Sequence, residues 1–183
     1  SITIKNVGIN PTRIGFLEIA KRMGANIKIL NKKNLNKEPT ADIQVISSVL
    51  RSIDLNDRNL TSSAIDEFPA IFILAAFARG KSSFDGLNEL RVKESDRIKS
   101  MAINLEKLGI EVNEHENGID ITGGFMKGGE IECFDDHRVA MSFAAAGNSS
   151  KDKILIKDAD SIITSFPEFV QKMKQINSLI EIK

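Results

Sequence analysis

The sequence predicts an α/β fold with helices inside and partly exposed strands outside. Three observations carry that expectation. A helix that turns tightly into an alternating strand recurs three times, two further segments are apolar nearly all round, and the strands after them alternate apolar with polar. A helix without a polar face is buried on every side, whereas an alternating strand keeps one wet face.

In chain order, Ile2 and Ile4 open an alternating strand. Residues 15–24 read as the first helix of the recurring kind, with a strand over 25–30. Residues 96–109 and 110–112 repeat the unit, and 169–177 with 179–182 repeat it again; the strings KRMGANIKI, EKLGIEVNE and QKMKQINSLIEI make the likeness visible. Gly24 and Gly109 stand where a helix C-cap wants glycine. The two apolar helices span 69–78, with Ile71, Phe72 and Ile73, and 139–147, with Val139, Met141 and Phe143. Strands are expected near 82–84, 153–156 and the alternating Ile131/Cys133. Residues 31–39 and 117–129 are polar, contain Gly, Asn or Pro, and read as surface connections. Residues 48–63 give no clear pattern beyond a strand pair around Ile53. No linker divides the chain, so 1–183 reads as a single domain.

Composition narrows the function classes. Hydrophobic residues make up 42% and charged residues 27% of the 183, as in an ordinary soluble globular protein. With 25 basic and 25 acidic residues the net charge is zero, so there is no nucleic-acid or membrane footprint and any anion site is local. Cys133 is the only cysteine; no internal disulfide is possible, which fits a reducing, cytoplasmic compartment. Its alternating context marks it as a small strand residue rather than a nucleophile. No apolar run reaches membrane-span length, and no basic-then-apolar leader is evident. The start at Ser1, without methionine, fits a piece cut from a longer chain.

The densest chemistry lies in Glu89-Leu90-Arg91-Val92-Lys93-Glu94-Ser95-Asp96-Arg97. It packs cations and acids directly before a helix whose apolar positions are Ile98, Met101, Ala102, Leu105 and Leu108. Lys93, Glu94 and Arg97 therefore sit at the helix mouth on one face. Free N–H groups and the helix dipole favour anions there. The plain alternative is a solvated, salt-bridged first turn. Three more helix starts carry polar groups: Asp66 and Glu67 before Pro69; Asp136, His137 and Arg138; and Ser165 with Pro167. If these helices run roughly parallel, their N-termini converge on one anion-binding surface. Asp66 and Asp136 could each be simple caps, and His137 could be structural. Arg138, before an apolar helix, needs a partner: Asp135, Glu94 or a ligand phosphate. His115 reads as solvent-exposed in a polar turn. Gly80-Lys81-Ser82 resembles the tail of a phosphate loop, but Ala75 stands where the earlier glycine is required and a strand follows, so ATP binding is rejected. No metal-ligand spacing and no nucleophile–His–acid set is apparent.

The nine-residue string resembles the signature of the EPSP synthase family, the 3-phosphoshikimate 1-carboxyvinyltransferases. Ile65-Asp66-Glu67-Phe68-Pro69, Asp136-His137-Arg138-Val139-Ala140-Met141-Ser142-Phe143 and Thr164-Ser165-Phe166-Pro167-Glu168-Phe169 resemble other landmarks of that family, in its order and at about its spacing; Asn10-Pro11-Thr12-Arg13 is similar to it as well. The resemblance runs over the whole chain and covers the back half of the family's length. It implies an inverse α/β prism, in which two domains are each built from three βαβαββ units. Residues 1–183 would be the C-terminal half, with the N-terminal half absent.

The activity implied is transfer of the enolpyruvyl group of phosphoenolpyruvate to the 5-hydroxyl of shikimate 3-phosphate, in the shikimate pathway to aromatic amino acids. Phosphate leaves, and no metal or organic cofactor takes part. Such chemistry asks for a base, an acid, and cations around phosphates and a carboxylate. By motif, Asp66 matches the base at the 5-hydroxyl and Lys93 a lysine touching substrate and the transferring group. Glu94 matches the acid in proton transfer at the methylene, Arg97 and Arg138 the phosphoenolpyruvate-binding arginines, and His137 a site histidine.

Two positions depart from the family: Thr164 stands where many members have lysine, leaving Lys157 as a candidate replacement, and Glu89 stands where some have asparagine. Both bear on phosphoenolpyruvate affinity and on the response to glyphosate. The other domain would supply most shikimate 3-phosphate contacts, so this part alone is expected to be inactive. The rival readings are the related transferase acting on UDP-N-acetylglucosamine and a non-catalytic α/β module.

Overall fold

Alternating apolar residues begin the chain as strand β1 (Ile2–Gly8), and the amphipathic helix α1 (Gly15–Arg22) follows in a computed structural model that describes residues 1–181. β2 (Asn26–Leu35) and β3 (Glu38–Ile46) form a hairpin whose turn residues, Asn36 and Lys37, both have positive φ, as a tight hairpin turn requires. β4 (Asp54–Leu55) and α2 (Arg58–Ser63) lead through a 3-10 turn, Ile65–Glu67, into α3 (Phe68–Ala76). β5 (Lys81–Phe84), a second 3-10 turn, Asn88–Val92, and α4 (Arg97–Lys107) come next, then the hairpin β6 (Glu111–His115) and β7 (Gly118–Thr122). β8 (Gly129–Glu132), α5 (His137–Ala146), β9 (Ile154–Lys157), α6 (Ser161–Ser165) and α7 (Phe169–Gln175) follow.

The strands form three sheets, ordered β1-β3-β2, β4-β5-β7-β6 and β8-β9. The first is antiparallel; β4 runs parallel to β5, β7 antiparallel to both its neighbours, and β8 parallel to β9. Their inner residues, among them Ile43, Phe84, Ile119, Ile121 and Ile131, are buried. α3 is the centre: it packs against α1, α4, α5 and β7. Phe68 and Phe72 of α3 meet Phe84 of β5 with ring centroids 5.5 to 6.0 Å apart. Gly24 and Gly109 take positive φ past the ends of α1 and α4, the cap role expected of them. Gly15 answers to close packing instead, since a Cβ there would lie 2.7 Å from the Ser63 carbonyl carbon. Among the described residues no helix is long and apolar enough to cross a membrane.

The structure corrects several expectations. Residues 31–39 belong to the β2–β3 hairpin, and 117–129 include β7. Both stretches look like loops because their side chains are polar, but ladder hydrogen bonds are made by the backbone and tolerate exposed polar side chains. The segment 48–63 holds β4 and α2. α5 is not covered on every side: Ala145 is exposed and Met141 and Ala144 are half-buried, because the sheet beside it is only two strands wide. Ser165 and Pro167 open no helix. Ser165 ends α6, and Phe166 before the proline is out of the helical region (φ −142°, ψ 79°), which a following proline disfavours. Residues 179–181 form no strand and have no strand to pair with among the described residues; Ile182 of that expected strand lies outside them.

Candidate active site

Three helix mouths meet at Asp66. It lies in the 3-10 turn that precedes α3, a position set by the proline two residues into that helix. Lys93 Nζ stands 3.4 Å from Asp66 Oδ1, Arg97 Nη1 3.6 Å from the same oxygen, and Arg138 Nη2 4.0 Å from Oδ2. Arg138 Nη1 also donates to the Asp66 backbone carbonyl at 3.0 Å and lies 3.7 Å from Glu67. Arg13, from the loop before α1, approaches both acids, at 4.0 Å from Asp66 and 3.5 Å from Glu67. The expected convergence of Asp66, Lys93, Arg97 and Arg138 is thus present.

Arg97 is 1% exposed, and Asp136, its strongest partner, is fully buried. Arg97 Nε donates to Asp136 Oδ2 at 2.8 Å, and Nη2 donates to Glu94 at 2.6 Å. Nη1 is buried and, among the described residues, has no hydrogen-bond acceptor. An orphaned buried donor calls for an explanation, and one aimed at an anion site has a ready one. Asp136 meanwhile caps α5, accepting from the Arg138 N–H at 2.9 Å, and takes the Ser95 hydroxyl at 3.1 Å. One carboxylate therefore ties the start of α5 to the first arginine of α4. Asp96 caps α4 in the same manner, accepting from the Lys99 N–H.

The electrostatics are those of a cation cluster around a few acids. Burial alone would raise the Asp66 carboxyl, but Arg138, Lys93 and Arg97 outweigh it and hold the group below the ordinary carboxylate range. Burial would also raise Asp136; the Arg97 guanidinium and the α5 N–H groups bring it down instead. The hydrogen bond from Lys93 to Glu89, with Asp66 near by, pushes the lysine up.

Other expectations resolve differently. The partners of Arg138 are Asp66 and Glu67, not Asp135 or Glu94, because the turn before α3 lies against the start of α5. His137 is half-buried at the start of α5, and among the described residues no hydrogen bond or ion pair joins its side chain to the cluster. Lys157 is 2.5 Å from Glu130 across β8 and β9 and so is taken up on that sheet, while Thr164 is exposed on α6. His115 is half-buried at the end of β6, 3.8 Å from Asp85, rather than free in a turn. The Cys133 thiol is buried and donates to the Asp158 carbonyl; burial pushes it up, away from nucleophilic use. Sequence reasoning did not anticipate Asp136 as the shared anchor of Arg97 and Arg138. The signal was there in an acid beside an arginine at the start of an apolar helix, a place where a charge needs a partner.

Residues 1–173 match the family model of EPSP synthase (3-phosphoshikimate 1-carboxyvinyltransferase). The chain belongs to the EPSP synthase family. A 3-phosphoshikimate 1-carboxyvinyltransferase of Legionella pneumophila (strain Paris) is 45% identical over 180 residues, covering 98% of this chain and 41% of the relative. One of Coxiella burnetii (strain CbuK_Q154) is 43% identical over 176 residues, covering 96% of this chain and 40% of its own length. The solved EPSP synthase of Acinetobacter baumannii superposes with a TM-score of 0.91 at 43% identity, over 94% of this chain and 41% of that one. The enolpyruvyl transferase NikO of Streptomyces tendae shares the fold at a TM-score of 0.69 and 15% identity, over 96% of this chain and 38% of that one. The inverse α/β prism of the EPSP synthase family is therefore the fold of this chain. The chain spans about two fifths of the length of the relatives it matches.

Proposed function

We propose that this chain is one domain, the C-terminal half, of a cytoplasmic enzyme that transfers the enolpyruvyl group of phosphoenolpyruvate to the 5-hydroxyl of shikimate 3-phosphate and releases phosphate. The observation that carries the reading is the buried Arg97 guanidinium, whose Nη1 has no hydrogen-bond acceptor among the described residues and faces Asp66 beside Lys93 and Arg138. Three positive side chains at the mouths of α4 and α5 suit a ligand bearing phosphate and carboxylate groups.

In this reading Arg97 and Arg138 take the anionic end of phosphoenolpyruvate, and Lys93 lies between the two substrates. Asp66 accepts the proton of the attacking hydroxyl. Glu94 donates a proton to the methylene carbon as the C–O bond forms, and takes a proton back from the resulting methyl group as phosphate departs and the double bond re-forms. In the ligand-free site Asp66 is held ionised by its cations, and so is a weak base. Anionic substrates compete for those cations, loosen their hold on Asp66 and raise its basicity where it is needed. His137 sits at the rim as a further substrate contact. The N-terminal half of the enzyme closes over the other side of both substrates.

The test is phosphate release by the complete protein from phosphoenolpyruvate, with shikimate 3-phosphate or with UDP-N-acetylglucosamine as acceptor. Release with the first acceptor alone is expected. Release with the second alone would replace the reading by its rival, and release with neither would leave an α/β module without this chemistry.

A further inference from the structure

One guanidinium touches no member of the Asp66 cluster, yet holds the segment that brings two of them into it. Arg91 lies in the 3-10 turn Asn88–Val92 and is largely buried. Its Nε donates to the Glu116 carbonyl at 2.8 Å and its Nη2 to the His115 carbonyl at 2.6 Å. Its Nη1 donates to Glu114 and to Asp96, both at 2.9 Å. Asp96 uses its other oxygen to cap α4. Between that turn and α4, no backbone hydrogen bond outside the flanking helices tethers residues 93–95, among the described residues. The stretch that presents Lys93 and Glu94 is therefore held from its two ends by side chains. Arg91 fixes one end to the β6–β7 hairpin, and Asp136 fixes the other through Ser95 and Arg97.

Resting on the function proposed above, we infer that Arg91 is a positioning residue for the transfer reaction: through Asp96 and the end of β6 it keeps Lys93 and Glu94 at working distance from Asp66. A planar fork serves all four acceptors at once. A lysine offers a point charge without that geometry. An untethered stretch samples many conformations, and a displacement of about 1 Å at a reacting group costs about 10²-fold in rate.

The test compares wild type, Arg91→Lys and Arg91→Gln in the complete protein, by phosphate-release kinetics and by amide hydrogen exchange. In Arg91→Gln, kcat is expected to fall about 10²-fold, by more than KM changes, with faster exchange at residues 93–95 while α3 keeps its protection. Arg91→Lys recovers only part of the rate. Wild-type kcat in Arg91→Gln, with a wild type that turns over, overturns the positioning role alone. Exchange that rises equally in α3 and in 93–95 also overturns it, by making Arg91 a general stabiliser. A wild type that releases no phosphate overturns the functional reading instead, and the exchange arm then stands by itself on whether Arg91 holds the segment.

Discussion

Arg97 is a charge that the fold has buried and only partly satisfied. Its pair with Asp136 lies out of solvent on both sides, so removing one partner strands the other. Asp136→Ala is expected to cost about 3–5 kcal/mol, read as a shift in the denaturant midpoint. The pH dependence follows from the lowered Asp136 carboxyl. The fold prefers the carboxylate form, so the stability it lends is complete above the ordinary value of 3.8 and is lost as pH falls through the lower native value. Asp136→Asn should therefore flatten the acid limb of a stability–pH curve; an unchanged limb would show that other carboxylates set it. Glu89 offers a test of opposite sign. It shares Lys93 with Asp66, so Glu89→Gln frees positive charge and should tighten inorganic phosphate binding by up to about fivefold, the worth of an exposed pair; weaker binding would mean that Glu89 is needed to orient the lysine. Most of this site was legible in the sequence, because Asp66, Lys93, Glu94, Arg97 and Arg138 all stand at helix starts. Asp136 was legible only as a cap. Its bond to Arg97 spans 39 residues of chain, and a local pattern carries no trace of that.

Helices were easier to read than strands. α3 and α4 fall close to where their apolar patterns put them, since a buried helix writes its burial into its own sequence. β3 and β7 were missed, because a strand is defined by what it pairs with. In the second half of β2, Lys32 and Lys33 are exposed and read as a loop, yet the strand pairs with β3 along its length apart from one irregularity. Residues 179–181 are the reverse case: they alternate correctly but have no partner strand among the described residues. α3 also shows where stability is concentrated. Phe72 is fully buried against Phe68 and Phe84, so Phe72→Ala should cost about 3–5 kcal/mol. The loss should appear in denaturant unfolding. A cost under about 1 kcal/mol, the size of a surface change, would mean that the core around α3 refills the space.

At the scale of the whole molecule the cluster is one-sided. Arg97 is buried, but Arg138 remains 32% and Glu94 50% exposed, so solvent reaches the groups that would have to act. Charges about 4 Å apart interact at about 1 kcal/mol in bulk water and about 4 kcal/mol near a protein surface, so each further loss of water strengthens them. Preorganised charge works only when water is excluded. In the function proposed above, the rest of the enzyme would supply the missing wall, since the chain spans about two fifths of the relatives it matches. The isolated chain is therefore expected to bind without turning over. Phosphoenolpyruvate and shikimate 3-phosphate, added separately and together, should shift the amide NMR signals of Asp66, Lys93, Arg97 and Arg138, while no phosphate is released. Adding the rest of the protein should tighten those shifts and start the reaction, since closure both excludes water and supplies the second set of contacts. Phosphate release by the pure chain alone would overturn this division of labour and place a complete catalytic apparatus on one prism. A folded chain with no shifts at all would move the first binding event to the other half, with this domain closing on ligands already held there.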